Sequence, residues 1–252
     1  KIPASESISV PFALPFGFSL TPSLKLYRVY HTYGSVKMDE WSVDKRIKIG
    51  AGLGRSSLGY VLDGNSDFRK GMSLSLAVSR DMELMDMLKD PKQYVQVQFT
   101  WFPYANSWFN PSIRITGSAA SDSTKYLLRS IEDEPYMADY MRGIRDDSQY
   151  NTAWNTKLIA NINLTTKCIN LGSWARTYAI AYTDIAMLHN KDEEVKMLYT
   201  IGIEGIGIIN AHSNYPVRAS LGFNTESIKT FMETKDFHDL EYELFFGLYY
   251  FY

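Results

Sequence analysis

Apolar and polar residues alternate with a period of two along most of this chain, and that alternation predicts strands. In the first run Ile8, Val10, Phe12, Leu14, Phe16, Phe18 and Leu20 stand against Ser7, Ser9, Pro11, Ala13, Pro15, Gly17 and Ser19. Leu24, Leu26 and Tyr30 make a second run, Ile47 to Leu53 a third, and Leu58, Tyr60 and Leu62 a fourth. Further runs are Met72–Val78, Val95–Trp101 and Ser112–Ser118. Beyond residue 150, Leu158, Ala160, Ile162 and Leu164 oppose Lys157, Asn161, Asn163 and Thr165. Trp174, Tyr178, Ile180 and Tyr182 oppose Ala175, Thr177, Ala179, Ala181 and Thr183. Met197, Tyr199, Ile201 and Ile203 oppose Thr200, Gly202 and Glu204; then Ile206 and Ile208 change parity, which suggests a bulge at Gly205. Val217–Asn224 and the closing run 240–252, apolar at every even position, complete about twelve strands.

The connections have their own rhythm. Short turn-rich links at 103–108, 166–170 and 210–214 alternate with longer polar ones at 81–91, 120–150, 187–194 and 225–238. A membrane barrel has this layout, with short turns on one side and long loops on the other. A soluble β-sandwich gives the same alternation, because each sheet buries one face against the other. Three features favour the barrel. The face opposite the large apolar residues is often Ser, Ala, Thr, Asn or Gly rather than Lys, Glu or Arg. Aromatics crowd the strand ends beside short turns, as in FTWFPYANSWF at 99–109 and FFGLYYFY at 245–252. No second sheet or internal helix is evident to cover so much apolar area. The expected fold is therefore all-β: one domain over residues 1–252, a transmembrane antiparallel up-and-down β-barrel of about twelve strands. An even count would set both termini on the same, periplasmic side. The links at 21–23 and 54–57 fit this scheme poorly, being short where long loops are expected.

The last strand resembles the C-terminal signature of Gram-negative outer-membrane β-barrel proteins. Tyr252 follows Tyr250, Leu248, Phe246, Leu244 and Tyr242 at alternate positions, with Phe251 as a mild departure on the other face. The resemblance is to the class and not to one family within it. It implies a bacterial outer-membrane location, a signal peptide already removed, surrounding outer-membrane lipids, and a C-terminal strand read by the barrel-assembly machinery.

Composition trims the alternatives. With 26 basic and 28 acidic residues among 252, the chain is near neutral, which argues against a general nucleic-acid binder. One cysteine, Cys168, excludes an intramolecular disulfide framework and a cysteine zinc cluster. No apolar run reaches the length of a transmembrane helix. The opening KIPASES lacks the basic-then-apolar layout of a signal peptide, so either there is none or it has been cleaved. The 18 tyrosines, 13 phenylalanines and 5 tryptophans need a location, and the membrane interface is one. Candidate interface aromatics are Trp101, Tyr104, Trp108, Phe109, Trp174, Tyr250 and Tyr252.

If the apolar parity meets lipid, the other parity lines the lumen. The candidate solute-contacting residues are Lys25, Arg46, Lys48, Arg114, Lys157, Glu204, Arg218, Glu241 and Glu243. Opposite charges such as Arg218 with Glu241 or Glu243 equally suit structural ion pairs. The functional alternative is a slightly cationic path for small polar solutes, anionic ones included. Arg28 and Arg176 fall on the apolar parity near strand ends, where snorkelling accounts for them. The small residues Ser73–Ser79 and Ala175–Ala181 are expected to face inward and leave room for water or an inserted loop. The stretch 121–148 breaks the strand pattern: Tyr126, Leu127, Ser130 and Ile131, then Met137, Tyr140, Met141 and Ile144, follow helical spacing on either side of Pro135. Such a loop can cap the barrel or enter it, and its acidic residues read as a solvated face rather than a metal site. No cofactor is expected.

Two other classes stay open. A lipid-modifying enzyme of acyl-hydrolase type needs a nucleophile beside a base. No histidine is followed two residues later by serine, and His31 alone falls inside an expected strand. A plugged barrel acting as an adhesin or structural protein through its loops is the third class.

Overall fold

The chain is all-β as the alternation predicts, and its strands pair antiparallel in one meander. The structure, a computed structural model, describes residues 3–31, 42–60, 68–83, 91–121, 141–145, 154–170, 174–191, 193–209 and 217–248. Its strands are β1 (Pro3–Ser9), β2 (Phe12–Ala13), β3 (Phe18–His31), β4 (Ser42–Ser56), β5 (Gly59–Tyr60), β6 (Arg69–Glu83) and β7 (Lys92–Phe102). They continue with β8 (Phe109–Ala120), β9 (Thr156–Asn170), β10 (Ala175–His189), β11 (Lys196–Ile209), β12 (Val217–Asn224) and β13 (Tyr242–Leu248). One helix, α1 (Thr225–Thr234), joins β12 to β13. The hydrogen-bonded path is β1-β3-β4-β6-β7-β8-β9-β10-β11-β12-β13, so neighbours in the sheet are successive along the chain. No helix among the described residues is long and apolar enough to cross a membrane.

Two short segments are continuations. β2 prolongs β1 against β3 in the same register, and the ladder lapses at Pro11, whose nitrogen carries no hydrogen. β5 likewise prolongs β4 against β6. The thirteen segments therefore behave as eleven strands. Among the described residues β1 and β13 do not pair, so the sheet is not closed.

The first third differs from expectation. Residues 7–20 are not one strand, because Pro15–Gly17 form a 3-10 turn in which Phe16 takes φ 60 and sends the chain back. The expected links at 21–23 and 54–57 lie inside β3 and along β4 to β5. Gly54, Ser56 and Ser57 look like turn residues, yet the Ser57 N–H donates to the Met72 carbonyl at 2.8 Å and the ladder runs on. With the turns relocated, connections 14–17, 61–68, 103–108, 171–174 and 210–216 fall at one end of the sheet. Those at 32–41, 84–91, 121–155, 190–195 and 225–241 fall at the other. The expected third and fourth strands are one, and the path becomes odd. β1 then starts at the long-connection end while β13 finishes at the short-connection end, so the described path does not bring its two ends to one side as an even count would.

Two further expectations are corrected. There is no bulge at Gly205, since the β10–β11 register is unbroken from Ala175↔Ile209 to Leu188↔Lys196. Ile206 and Ile208 instead bury on the polar face against Tyr178 and Phe68. Helix α1 occupies part of the connection read as polar loop; the Asn224 side chain caps it by accepting the Glu226 N–H at 3.0 Å.

The two faces of the sheet live in different surroundings. Ile8, Leu24, Ile49, Leu74, Leu76, Val95, Leu164, Ile201, Ile203, Leu244 and Phe246 are exposed on the apolar face, the last two by 73%. The polar face is concave. Strands β6 and β10 in a flat sheet would sit about 19 Å apart, four spacings of about 4.8 Å. Yet Phe68, which leads into β6, meets the Tyr178 ring on β10 with centroids 5.6 Å apart.

Candidate functional site: an arginine clasp on the polar face

Register lines up the polar-face residues in rows across the strands. One row runs Ser73, Thr100, Arg114, Asn161, Asp184, Thr200, Asn224. The next runs Ser112, Asn163, Tyr182, Gly202, Gly222, Glu243. The third holds Asn110, Thr165, Ile180, Glu204, Ser220 and Phe245. Strand order and period two alone bring these side chains to one surface.

Onto that surface comes a piece of the long connection between β8 and β9. Met141 and Ile144 are fully buried there and pack with Trp154, Ile159, Ala186, Leu188 and Leu198 toward the long-connection end. Between them Arg142 reaches into the rows. Its Nε donates to Asp184 Oδ2 at 2.9 Å and its Nη2 to Asp184 Oδ1 at 2.6 Å, a bidentate pair. The Arg142 backbone N–H also donates to Asp184 Oδ2, at 2.9 Å. Nη2 further donates to Asn163 Oδ1 at 2.6 Å, and Nη1 lies 3.5 Å from Glu204 Oε2. The next residue, Gly143, donates its N–H to Glu243 Oε2 at 2.7 Å. Four side chains, Asn163, Asp184, Glu204 and Glu243, thereby tie the connection to β9, β10, β11 and β13. Asp184 has 0% of its surface exposed and Glu204 3%, so these charges depend on one another rather than on water. Burial alone would lower the Arg142 pKa, but the hydrogen bonds and charge of Asp184 outweigh it and hold it above the ordinary arginine value.

Glycines make room for the clasp. Gly202 and Gly222 face each other across β11 and β12, and the Tyr182 ring lies over both. A Cβ at Gly222 would sit 2.3 Å from Tyr182 Oη and 2.8 Å from the Gly143 Cα. The Arg142 guanidinium stacks on that ring, 3.7 Å from its centroid. Gly143 itself has φ +79, open to glycine at little cost.

All nine candidate lumen residues lie on the polar parity, but they form several groups. Arg218 pairs with Glu204, Glu204 also faces Arg142, and Glu243 holds Gly143. Lys157 is buried, Glu241 half-buried and Arg114 half-buried on the same face. Arg46 Nε donates to Asp81 Oδ1 at 2.9 Å, and the Lys48 ammonium lies 5.0 Å from the Tyr94 ring centroid. Lys25 is exposed, opposite Lys48 in register. The interface candidates Trp101, Tyr104, Trp108, Phe109 and Trp174 are all exposed, at the short-connection end. Tyr250 and Tyr252 lie outside the described residues, as does most of the helical spacing at 121–148. The side chains of Arg28 and His31 do too.

β10 reverses the sequence reading. Tyr178, Tyr182, Asp184, Ala186 and Leu188 are buried on the polar face, while Ala181 and Met187 are exposed on the other. The small residues of β10 expected to leave room inside therefore lie outward, while Ser73–Ser79 keep to the polar face, and Arg176 shares that face with its register partner Ile208. Arg142 and Asp184, which join the connection to the sheet, were not among the candidates. Asp184 in phase with Tyr182 was the available signal, since a carboxylate there could not share an apolar exterior. No protein-family model matches this chain, and a search of curated proteins finds no significant relative.

Proposed function

We propose that this protein is a bacterial outer-membrane β-barrel: a channel for small hydrophilic solutes whose lumen is narrowed by the Arg142 segment. The observation that carries the reading is the inversion between its faces. Large apolar side chains are exposed on strand after strand, while charged ones are buried on the concave side. Water as the sole solvent disfavours both halves of that arrangement; lipid outside and a polar lumen inside favour both. Most strands run 11–15 residues, enough for the roughly 9–11 that a tilted strand needs to span a bilayer. The short-connection aromatics suit one membrane interface. Closure of the described path on itself would set β1 beside β13 in parallel; otherwise one further strand must intervene. On this reading a signal peptide directs export, the barrel-assembly machinery reads the C-terminal strand, and outer-membrane lipids surround the sheet.

The Arg142 segment covers the wall from β9 to β13. Ser75, Ala77, Gln96 and Gln98 on β6 and β7 stay exposed on the same face, which favours a path beside the segment. Reconstitution in planar bilayers tests this. Steady conductance steps are expected; silence from protein that shows the heat-modifiable mobility of a folded barrel refutes the channel. The fourfold anchorage of Arg142 favours a second reading, a closed plug. In that case the natural protein is silent and Arg142→Met conducts.

A further inference from the structure

Among the described residues the polar face holds one cation with no hydrogen-bond or ion-pair partner for its charge. Arg142 is held by Asp184 and Glu204, Arg218 by Glu204, and Arg46 by Asp81. Lys48 lies over Tyr94, and Lys25, Lys157 and Arg176 each have contacts of their own. Arg114, in the middle of β8 and half-buried, makes no hydrogen bond or ion pair among the described residues. Among the described residues the charged neighbours that bear on it are Arg142, Arg218, Arg69 and one carboxylate, Asp184. That carboxylate is already engaged by three Arg142 donors. A guanidinium so placed needs an anion or water to complete its shell.

The surroundings supply the rest of a cradle. Along β8 the same face carries Ser112 and Thr116 on either side of Arg114. Thr116 is 3% exposed, and its hydroxyl has no partner among the described residues. Across the ladder stand Thr100 on β7 and Asn161 on β9, both buried. Arg142 leans toward this spot, because its Nη2 donates to Asn163 on β9, the strand next to Arg114. Asn163 in turn donates to Ser112 Oγ at 3.2 Å. Arg114 and Thr116 thus share one face, and the Asp184 carboxylate in the same row is already taken up by Arg142.

We infer that Arg114 and Thr116 form a binding site for a small oxyanion, phosphate or carboxylate, beside the constriction. The inference rests on the channel reading for its consequence, anion preference, and on the cradle alone for binding. A planar guanidinium matches two oxygens of such an ion, which a spherical halide lacks.

The test uses the whole protein with inorganic phosphate and acetate as probes, chloride as the reference ion, and the variants R114Q and R114K. In bilayers under a potassium chloride gradient, the natural protein is expected to prefer anions and to show chloride current blocked by phosphate or acetate. R114Q should weaken that block at least about tenfold, the loss of a charged hydrogen-bond partner, and shift the reversal potential toward cations; R114K should keep part of both. An R114Q channel with unchanged reversal potential and block overturns the inference and leaves the channel intact. If no variant conducts, the channel reading fails, and binding is read in detergent from thermal unfolding with and without each probe. Stabilisation present in the natural protein and lost in R114Q then upholds the site. No stabilisation, or an equal one in both proteins, overturns it.

Discussion

Replacing Arg142 by methionine keeps the length and apolar stem of the side chain and removes only the guanidinium. What remains is Asp184 with none of its surface exposed and Glu204 with 3%. Truncating one partner of a buried pair costs about 3–5 kcal/mol. Two features place this case at the low end. Asp184 keeps the backbone N–H of residue 142 at 2.9 Å, and Glu204 keeps Arg218. About 3 kcal/mol corresponds to roughly a hundredfold change in an equilibrium. The backbone reports it directly, because the Gly143 N–H is protected only while it donates to Glu243 at 2.7 Å. Hydrogen exchange of the folded protein should therefore show the Gly143 amide exchanging roughly a hundredfold faster in Arg142→Met, with amides in the β3–β4 ladder unchanged. Unchanged exchange at Gly143 would mean that the segment is seated by Met141 and Ile144 alone and that the clasp contributes nothing.

Three other outcomes follow from the packing. Gly222→Ala should loosen the same segment by about 1–3 kcal/mol, as overpacking does, seen as faster Gly143 exchange. Gly205→Ala, whose Cβ would meet nothing closer than 3.9 Å, should not loosen it. Leu244→Arg, on the apolar face, should destabilise folding into lipid vesicles by about 2–4 kcal/mol if the site lies near the bilayer midplane, measured by urea titration; a change within about 0.5 kcal/mol, as for ordinary surface sites, contradicts the lipid-facing assignment. Asn224→Ala removes the cap of α1 and should cost about 1 kcal/mol, read as a lower unfolding midpoint; Thr230→Ala, near the exposed middle of the helix, serves as control.

Period two carried the fold class and most of the register into the sequence, because a strand with one wet and one apolar side cannot slip by one residue unnoticed. The pattern is clear where the inward side is small or charged, as on β9 and β12. It fails on β10, where Tyr178, Tyr182 and Leu188 are as apolar as the outward residues. There Phe68 and the segment 141–144 cover the inner face. It also fails at 54–57, where glycine and serine suit a turn and a polar-lined strand equally well. Arg142 was illegible for a different reason. Its partners lie some twenty to a hundred residues away, and nothing local to 141–145 records that Asp184, Asn163 and Glu243 share a surface. Only the register assembles them.

The odd number of strands in the described path reaches beyond topology. Consecutive antiparallel neighbours reverse direction each time, so β1 enters from one rim of the sheet and β13 leaves by the other. If the sheet spans an outer membrane as proposed and closes without a further strand, an epitope fused ahead of β1 and another behind β13 would look into different compartments. On that proposal an antibody added to intact cells would find the first and miss the second.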